Sequence, residues 1–352
     1  MEPNENMIRN SDLIVPPQIS LCDAMRIIDR SEVKILFVAE GGKLLGALTD
    51  GDIRRFLFRG GKIEEPVGNA CNRSPRVAEN VWQAAEVYDR LNCIAVPVVN
   101  DSWEILDIYI GEENRDIQKE QLGIPVVINA GGKGTRLDPF TRVLPKPLIP
   151  VGEKPIIEHI MQQYEGFGCS EFHVIVNYKK QLLKAYFNEN EEHYDIRWYD
   201  EARPLGTGGG LSLLRGKLDG TFFFSNCDIL LLSNYASMLK FHRENGNAVT
   251  MVCAWKNHTI PYGVVEIGKN GVIEAMREKP ELSFLTNTGM YIVEPEVLED
   301  IAPDTSISFP EIIQAEIRKG RKAAAYPVSE SEWLDMGQMS ELEKMRIRLY
   351  GK

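Results

Sequence analysis

The stretch Val126-Val127-Ile128-Asn129-Ala130-Gly131-Gly132-Lys133-Gly134-Thr135-Arg136-Leu137 decides how the larger part of this chain folds. Val126 to Ile128 is a short run of β-branched residues, the pattern of a strand buried on both faces. It empties into Gly131, Gly132 and Gly134, which let backbone N–H groups turn toward an anion with no Cβ in the way. Arg136 and, downstream, Lys146 in Pro145-Lys146-Pro147-Leu148 add two cations. A strand, a glycine loop and two cations suit a ligand held by its phosphates, such as a nucleoside triphosphate. Two familiar loops are excluded. No Gly-Lys-Ser/Thr follows at Walker spacing, and Leu137 stands where a dinucleotide fingerprint has its third glycine.

Length and composition bound the rest. A chain of 352 residues is long for one core and natural for two domains. A net charge of −11 argues against a nucleic-acid binder, which would show a basic face. The N-terminus is polar and acidic and no apolar run reaches the length of a membrane span, so neither a signal peptide nor a membrane partner is expected. Cys22, Cys71, Cys93, Cys169, Cys227 and Cys253 form no Cys-x-x-Cys pair. They read as buried thiols of a reducing compartment, and a cytoplasmic location is expected.

The first 120 residues contain a repeat at an offset of 60, in which Ala24, Asp29, Arg30 and Val38 match Ala84, Asp89, Arg90 and Val98. Each copy predicts an amphipathic helix and two strands joined by a polar turn, Gly41-Gly42 in one and Asn100-Asp101-Ser102 in the other. Two copies are too few for a solenoid and should pack as a pseudo-symmetric pair. The charged stretch Glu112 to Gly123 predicts a linker, so the expected domains are 1–120 and 124–352. In the second, strands at Phe172–Asn177 and Thr221–Asp228 flank the helix-rich segments of an α/β sheet, with further strands at 249–254 and 263–267. Asp228 falls where a strand runs out, the edge at which such sheets gather ligands. The cluster Leu205-Gly206-Thr207-Gly208-Gly209-Gly210-Leu211 precedes a predicted short helix. It removes side chains where a flat base or ribose could lie, or else makes a flexible turn.

The run Gly131 to Leu137, with Pro139, Thr141 and Pro145 to Pro147, resembles the opening signature of the sugar-1-phosphate nucleotidylyltransferases, Gly-Gly-x-Gly-Thr-Arg-Leu-x-Pro-x-Thr and then Pro-Lys-Pro. The resemblance implies a Rossmann-like mixed-sheet α/β domain that joins a nucleoside monophosphate to a sugar 1-phosphate and releases pyrophosphate. It implies that Ala130, Gly131, Gly132, Gly134 and Thr135 grip the triphosphate, that Arg136 faces the departing pyrophosphate, and that Lys146 neutralises the α-phosphate. Gly206, Thr207 and Gly208 would line the nucleotide pocket. Asp228 and Asp335, in Trp333-Leu334-Asp335-Met336-Gly337, would hold Mg2+. Gly263 after Tyr262, Glu278-Lys279-Pro280 and Asn287-Thr288-Gly289 would take the sugar phosphate.

The N-terminal pair resembles a tandem cystathionine-β-synthase-type (CBS) module of α+β class. That resemblance gives Thr49 and Asp52 the ribose of an adenine nucleotide, although both residues also suit the start of a helix. The second copy has Tyr109 and Glu112 there, which implies one site per pair. Such modules stack, so a homo-oligomer is expected. The fusion resembles bacterial guanylyltransferases acting on glucosamine 1-phosphate or a heptose 1-phosphate, which favours GTP and leaves UTP, CTP and dTTP open. Two rivals remain. An inert nucleotide sensor would dispense with Arg136, Lys146 or the acidic ligands, and a choline-phosphate cytidylyltransferase would not need the sugar-side motifs.

Overall fold

A computed structural model describes residues 10–350, apart from 32, 81–82, 85–86, 89–93, 111–119 and 190–193. The chain divides into two compact units, Met1–Arg115 and Asp116–Lys352. Most of the expected linker, and the matched pairs Asp89, Arg90 and Glu112, lie outside the described residues.

In the first unit, β1 (Ile14–Val15) leads into α1 (Leu21–Arg30), β2 (Ile35–Glu40), β3 (Lys43–Thr49) and α2 (Asp50–Phe58). β4 (Val96–Val99) and β5 (Ile105–Tyr109) form the hairpin of the second copy. The repeat holds in detail. β1 pairs in parallel with β2 at Val15–Val38, and Ala78 bridges Val98 in parallel in the second copy. Ser20 Oγ accepts the N–H of Asp23, and Asn80 Oδ1 accepts the N–H of Gln83. Both hairpins bulge at the matched step, after Val38 and after Val98. Gly41 and Gly42 turn the first hairpin at φ of 57° and 83°, a geometry only glycine adopts freely. The hairpin tips then meet, the Leu44 N–H donating to the Trp103 carbonyl and the Ile105 N–H to the Gly42 carbonyl. Phe37, Leu44, Val99 and Ile108 close one shared core.

The second unit is built on a seven-stranded sheet in the order β10-β9-β6-β11-β16-β13-β17. Its strands are β6 (Val126–Asn129), β9 (Glu171–Val176), β10 (Asp195–Asp200), β11 (Phe222–Asn226), β13 (Val249–Thr259), β16 (Glu281–Val293) and β17 (Ala323–Val328). Alternation decides the layering. Val126, Ile128 and Phe223 enter one core, whereas Val127, Phe222 and Phe224 enter the other. The first face is covered by α3 (Ile156–Glu165), α4 (Lys180–Glu189), α5 (Tyr235–Asn245) and α7 (Met339–Tyr350). The second is covered by the 3-10 turn Gly209–Leu214 and α6 (Phe309–Arg318). Smaller pieces of the unit include the hairpin β7 (Pro150–Val151) with β8 (Lys154–Pro155), the ribbon β14 (Val264–Ile267) with β15 (Ile273–Arg277), β12 (Ile229–Leu231), and β18 (Trp333–Asp335). β6, β9 and β11 run parallel, so their carboxyl ends share one edge.

The strands expected at 172–177 and 221–228 match β9 and β11 closely, but β13 runs to Thr259 because it pairs along the whole of β16. The short helix expected at 211–214 is a 3-10 turn that begins at Gly209. Among the described residues no helix is long and apolar enough to cross a membrane.

Candidate active site

The carboxyl edge of the parallel strands opens into a cavity of about 260 Å³. Asn129 and Asn226, the last residues of β6 and β11, stand opposite each other in register at its floor. The glycine loop forms one wall. Gly134 sits in the left-handed region at φ 64°, and a Cβ there would lie 3.0 Å from the Cβ of Lys146 and from Cγ2 of Thr141. The tight turn therefore presses the loop against the lysine. Thr135 and Arg136 line the same wall, and Arg136 is exposed with no ion-pair partner among the described residues.

Lys146 is buried, and its Nζ pairs with Asp228 Oδ2 across the cavity. Asp335 reaches the same place through backbone pairing. β12 and β18 run antiparallel with Ile229 opposite Asp335, and the Met336 N–H donates to the Asp228 carbonyl at 2.8 Å. Burial first, and then the Asp228 charge, push the Asp335 carboxyl above the usual carboxylate range, while Lys146 and Arg136 pull it back. An acid whose proton affinity is raised by burial and by a neighbouring carboxylate fits a hard divalent cation, which relieves the repulsion. No group of three or more His, Cys, Asp or Glu among the described residues is arranged for a metal. A two-carboxylate site that leaves further positions to substrate oxygens and water is what Mg2+ commonly takes.

The other expected nucleotide residues divide. Gly132, Gly134, Thr135 and Thr207 line the cavity. Ala130 spends its N–H on the Ile175 carbonyl at 2.8 Å. Gly206, Gly208 and Gly209 answer to packing instead of to open space: a Cβ on each would lie 2.7 Å or less from Ile307 O, Ile312 Cδ1 and Thr305 O respectively. These glycines let the turn lie against the segment that leads into α6.

Sequence reading missed Asn129, Asn226 and Glu201. Glu201 is 4% exposed, and its Oε1 has no hydrogen-bond partner among the described residues. A Cβ on Gly131 would lie 2.8 Å from Glu201 Oε2, and one on Gly210 would lie 2.6 Å from Oε1. The carboxylate is thus wedged between the two glycine clusters, and both glycines leave room for it. Burial pushes its pKa from 4.5 to about 7, despite the Leu205 N–H that favours the charged form. The available signal was an acid directly after a strand and just ahead of Leu205-Gly206-Thr207.

The sugar-side residues fall into two groups. The Asn287 Oδ1 accepts the Gly289 N–H at 3.0 Å while its Nδ2 donates to Tyr291 at 2.7 Å. Gly289, at φ 87°, backs onto Asn226, whose Nδ2 would lie 2.6 Å from a Cβ there. Gly263 and Glu278 meet at the base of the ribbon, with Glu278 Oε2 3.0 Å from the Cβ position of Gly263. Glu278 and Lys279 are exposed. In the first unit, Thr49 and Asp52 form a capping box on α2, each side chain bonding the other's backbone N–H. Asp52 Oδ1 also accepts from Arg55 at 2.5 Å, so both carboxylate oxygens are engaged.

A CBS domain model matches residues 6–59. A mannose-1-phosphate guanylyltransferase of Arabidopsis thaliana is 34% identical over 60% of this chain and 61% of its own, and one of Schizosaccharomyces pombe is 32% identical over 60% of each. The chain thus spans about three fifths of the length of these relatives. The fold matches HddC from Yersinia pseudotuberculosis at a TM-score of 0.51 and 22% identity, over 64% of this chain and 99% of that one, and the same protein complexed with GMP-PN at 0.50 and 20% over the same shares. The family model described as nucleotidyl transferase matches residues 125–349, well over half of the sequence and all of the cavity just described, and the chain belongs to that family.

Proposed function

We propose that this protein transfers a nucleoside monophosphate from a triphosphate, GTP by preference, to a sugar 1-phosphate, giving an NDP-sugar and pyrophosphate. The observation that carries the reading is the convergence of Arg136, Lys146 and Asp228 on one cavity behind a glycine loop, with Asp335 brought next to Asp228 by the pairing of β18 with β12. An oxygen of the sugar phosphate attacks the α-phosphorus in line; that P–O bond forms as the bond to pyrophosphate breaks. The nucleophile is already an anion, so no general base is required. Catalysis consists of positioning and of neutralising anions that repel one another. Lys146 serves the α-phosphate, Arg136 the leaving pyrophosphate, and Lys279 with Glu278 the incoming sugar phosphate and its hydroxyls. Asp228 and Asp335 would hold Mg2+, which supplies charge neutralisation of the triphosphate.

Glu201 supports guanine. Guanine presents N1–H and an exocyclic amine side by side, and a carboxylate is an acceptor for both. The curated relatives make mannose 1-phosphate the first sugar to assay, with glucosamine and heptose 1-phosphates beside it. Pyrophosphate release from GTP, UTP, CTP and dTTP against that panel tests the proposal. Release that needs both GTP and one sugar phosphate is expected, and release with no pair would leave an inert sensor.

A further inference from the structure

Pro145 and Pro147 flank Lys146 and carry no backbone N–H. The single helical turn Phe140–Val143 stands just ahead of them. In an α-helix the carbonyls of Thr141 and Val143 would accept from residues 145 and 147, and here both of those are proline. Thr141 is buried, where a carbonyl without a donor is costly. The donors come from a distant part of the chain. Tyr178 Oη donates to the Thr141 carbonyl at 3.0 Å. Lys179 Nζ donates to the Val143 carbonyl at 2.8 Å and also to the Arg142 carbonyl. The Tyr178 N–H donates to the Gly131 carbonyl at 3.4 Å. The corner between β9 and α4 thus straps the glycine loop at its start and again just ahead of Lys146.

We propose that Tyr178 and Lys179 are positioning residues for Lys146. Neither is among the residues that line the cavity, so they act through what they hold. The path is short. Thr141 Oγ1 donates to the Gly134 carbonyl at 3.1 Å, and the Cβ position of Gly134 lies 3.0 Å from both Thr141 Cγ2 and Lys146 Cβ. Fixing Thr141 therefore fixes Gly134, and with it the stem of the lysine that pairs with Asp228. Lys179 itself lies in the left-handed region at φ 49°, where glycine or asparagine would be at ease and a lysine is strained. Such strain persists where the surroundings hold the residue in place, and here the ammonium is held by the Arg142 and Val143 carbonyls. The kinetic consequence rests on the proposed function, whereas the strap does not.

The test uses the full chain carrying Lys179→Met or Tyr178→Phe. Lys179→Asn removes the cation but keeps a residue suited to the left-handed region, should Lys179→Met fold poorly. Amide hydrogen exchange over residues 140–149 should quicken about 10-fold in Lys179→Met, while β9 and β11 keep the wild-type rate. Unchanged exchange there overturns the strap, whatever the activity. Turnover should fall about 10- to 100-fold in Lys179→Met and about 3-fold in Tyr178→Phe, with the KM for GTP within about twofold of wild type. Lys179→Arg keeps donors for both carbonyls and should recover most of the turnover. In a Lys146→Ala background, Lys179→Met should cost less than about twofold in kcat, because the group it positions is gone. The full loss repeated in that background would make the corner a general structural support and overturn the positioning role. A wild type that transfers nothing would defeat the proposed function, and hydrogen exchange would still decide the strap, so the two failures are told apart.

Discussion

At the scale of single residues, charge and burial decide most of what this site can do. Lys146 is held between the loop that Gly134 shapes and the carboxylate of Asp228, so its ammonium is fixed before any substrate arrives. Lys146→Ala should lose about 2–4 kcal/mol of transition-state stabilisation, read as a fall in turnover of roughly a hundredfold or more. Near-normal pyrophosphate release would remove the lysine from the chemistry. Asp335→Asn keeps the shape and removes the charge, so half-saturation with magnesium should move to higher concentration; a wild-type titration would make Asp335 a structural partner of Gly337 alone. Glu201 makes a different prediction. Its folded pKa of about 7 lies above the unfolded value near 4.5, so its favourable contribution is present below pH 4.5 and is lost as pH rises through 7. Thermal melts of Glu201→Gln and wild type should therefore diverge in favour of the variant between pH 5 and pH 8, by at most about 3 kcal/mol. Donors of a bound guanine favour the charged carboxylate, so wild-type affinity for GTP should rise over the same interval and the variant should lose that dependence. Parallel melts at both pH values would show that Glu201 is not the buried acid described.

At the scale of elements, the glycine loop separates two uses of one residue type. Gly134 combines a left-handed backbone with neighbours 3.0 Å from any added Cβ, whereas Gly132 has nothing within 4 Å. Gly134→Ala should lower stability by about 1–2 kcal/mol in urea titration and reduce turnover by displacing Lys146. Gly132→Ala should leave the urea midpoint unchanged. Equal midpoints for both variants would show that the turn tolerates a side chain. The contrast could not be read from the motif, because Gly-Gly-x-Gly spells both residues alike and only the packed neighbours differ. The same holds for Gly206, Gly208 and Gly209, whose missing Cβ atoms give room to the approach to α6 while Thr207 between them lines the cavity.

At the scale of the molecule, the repeat of the first unit was legible where its second copy is described, around Val38 and Val98. An offset of 60 recurs in the parallel pairing of Val38 and Val98, in the caps at Ser20 and Asn80, and in the two bulges. Ligand binding there is a separate matter, since the carboxylate and hydroxyl proposed for a ribose are already satisfied by the capping box of α2. An adenine nucleotide must compete with a cap worth about 1 kcal/mol. Calorimetric titration of the full chain with AMP, ADP and ATP should show one site that Asp52→Ala abolishes while the GTP response persists. Heat that survives in Asp52→Ala would leave Thr49 and Asp52 as a helix start only.

What the amino-acid order determined alone was whatever depends on neighbours along the chain. The β-branched run before Asn129, the glycine loop, the placement of Asp228 at a strand end and the repeat of the first unit are all local patterns set by backbone sterics and hydrophobic alternation. Tertiary structure decided what depends on distant segments being folded together. Asp335 meets Asp228 only because β18 pairs with β12, and Lys146 finds its carboxylate only across the cavity. Glu201 keeps one carboxylate oxygen, Oε1, without a partner among the described residues only because two glycine clusters close around it, since a carboxylate in solvent has no unmet partner and no reason to shift.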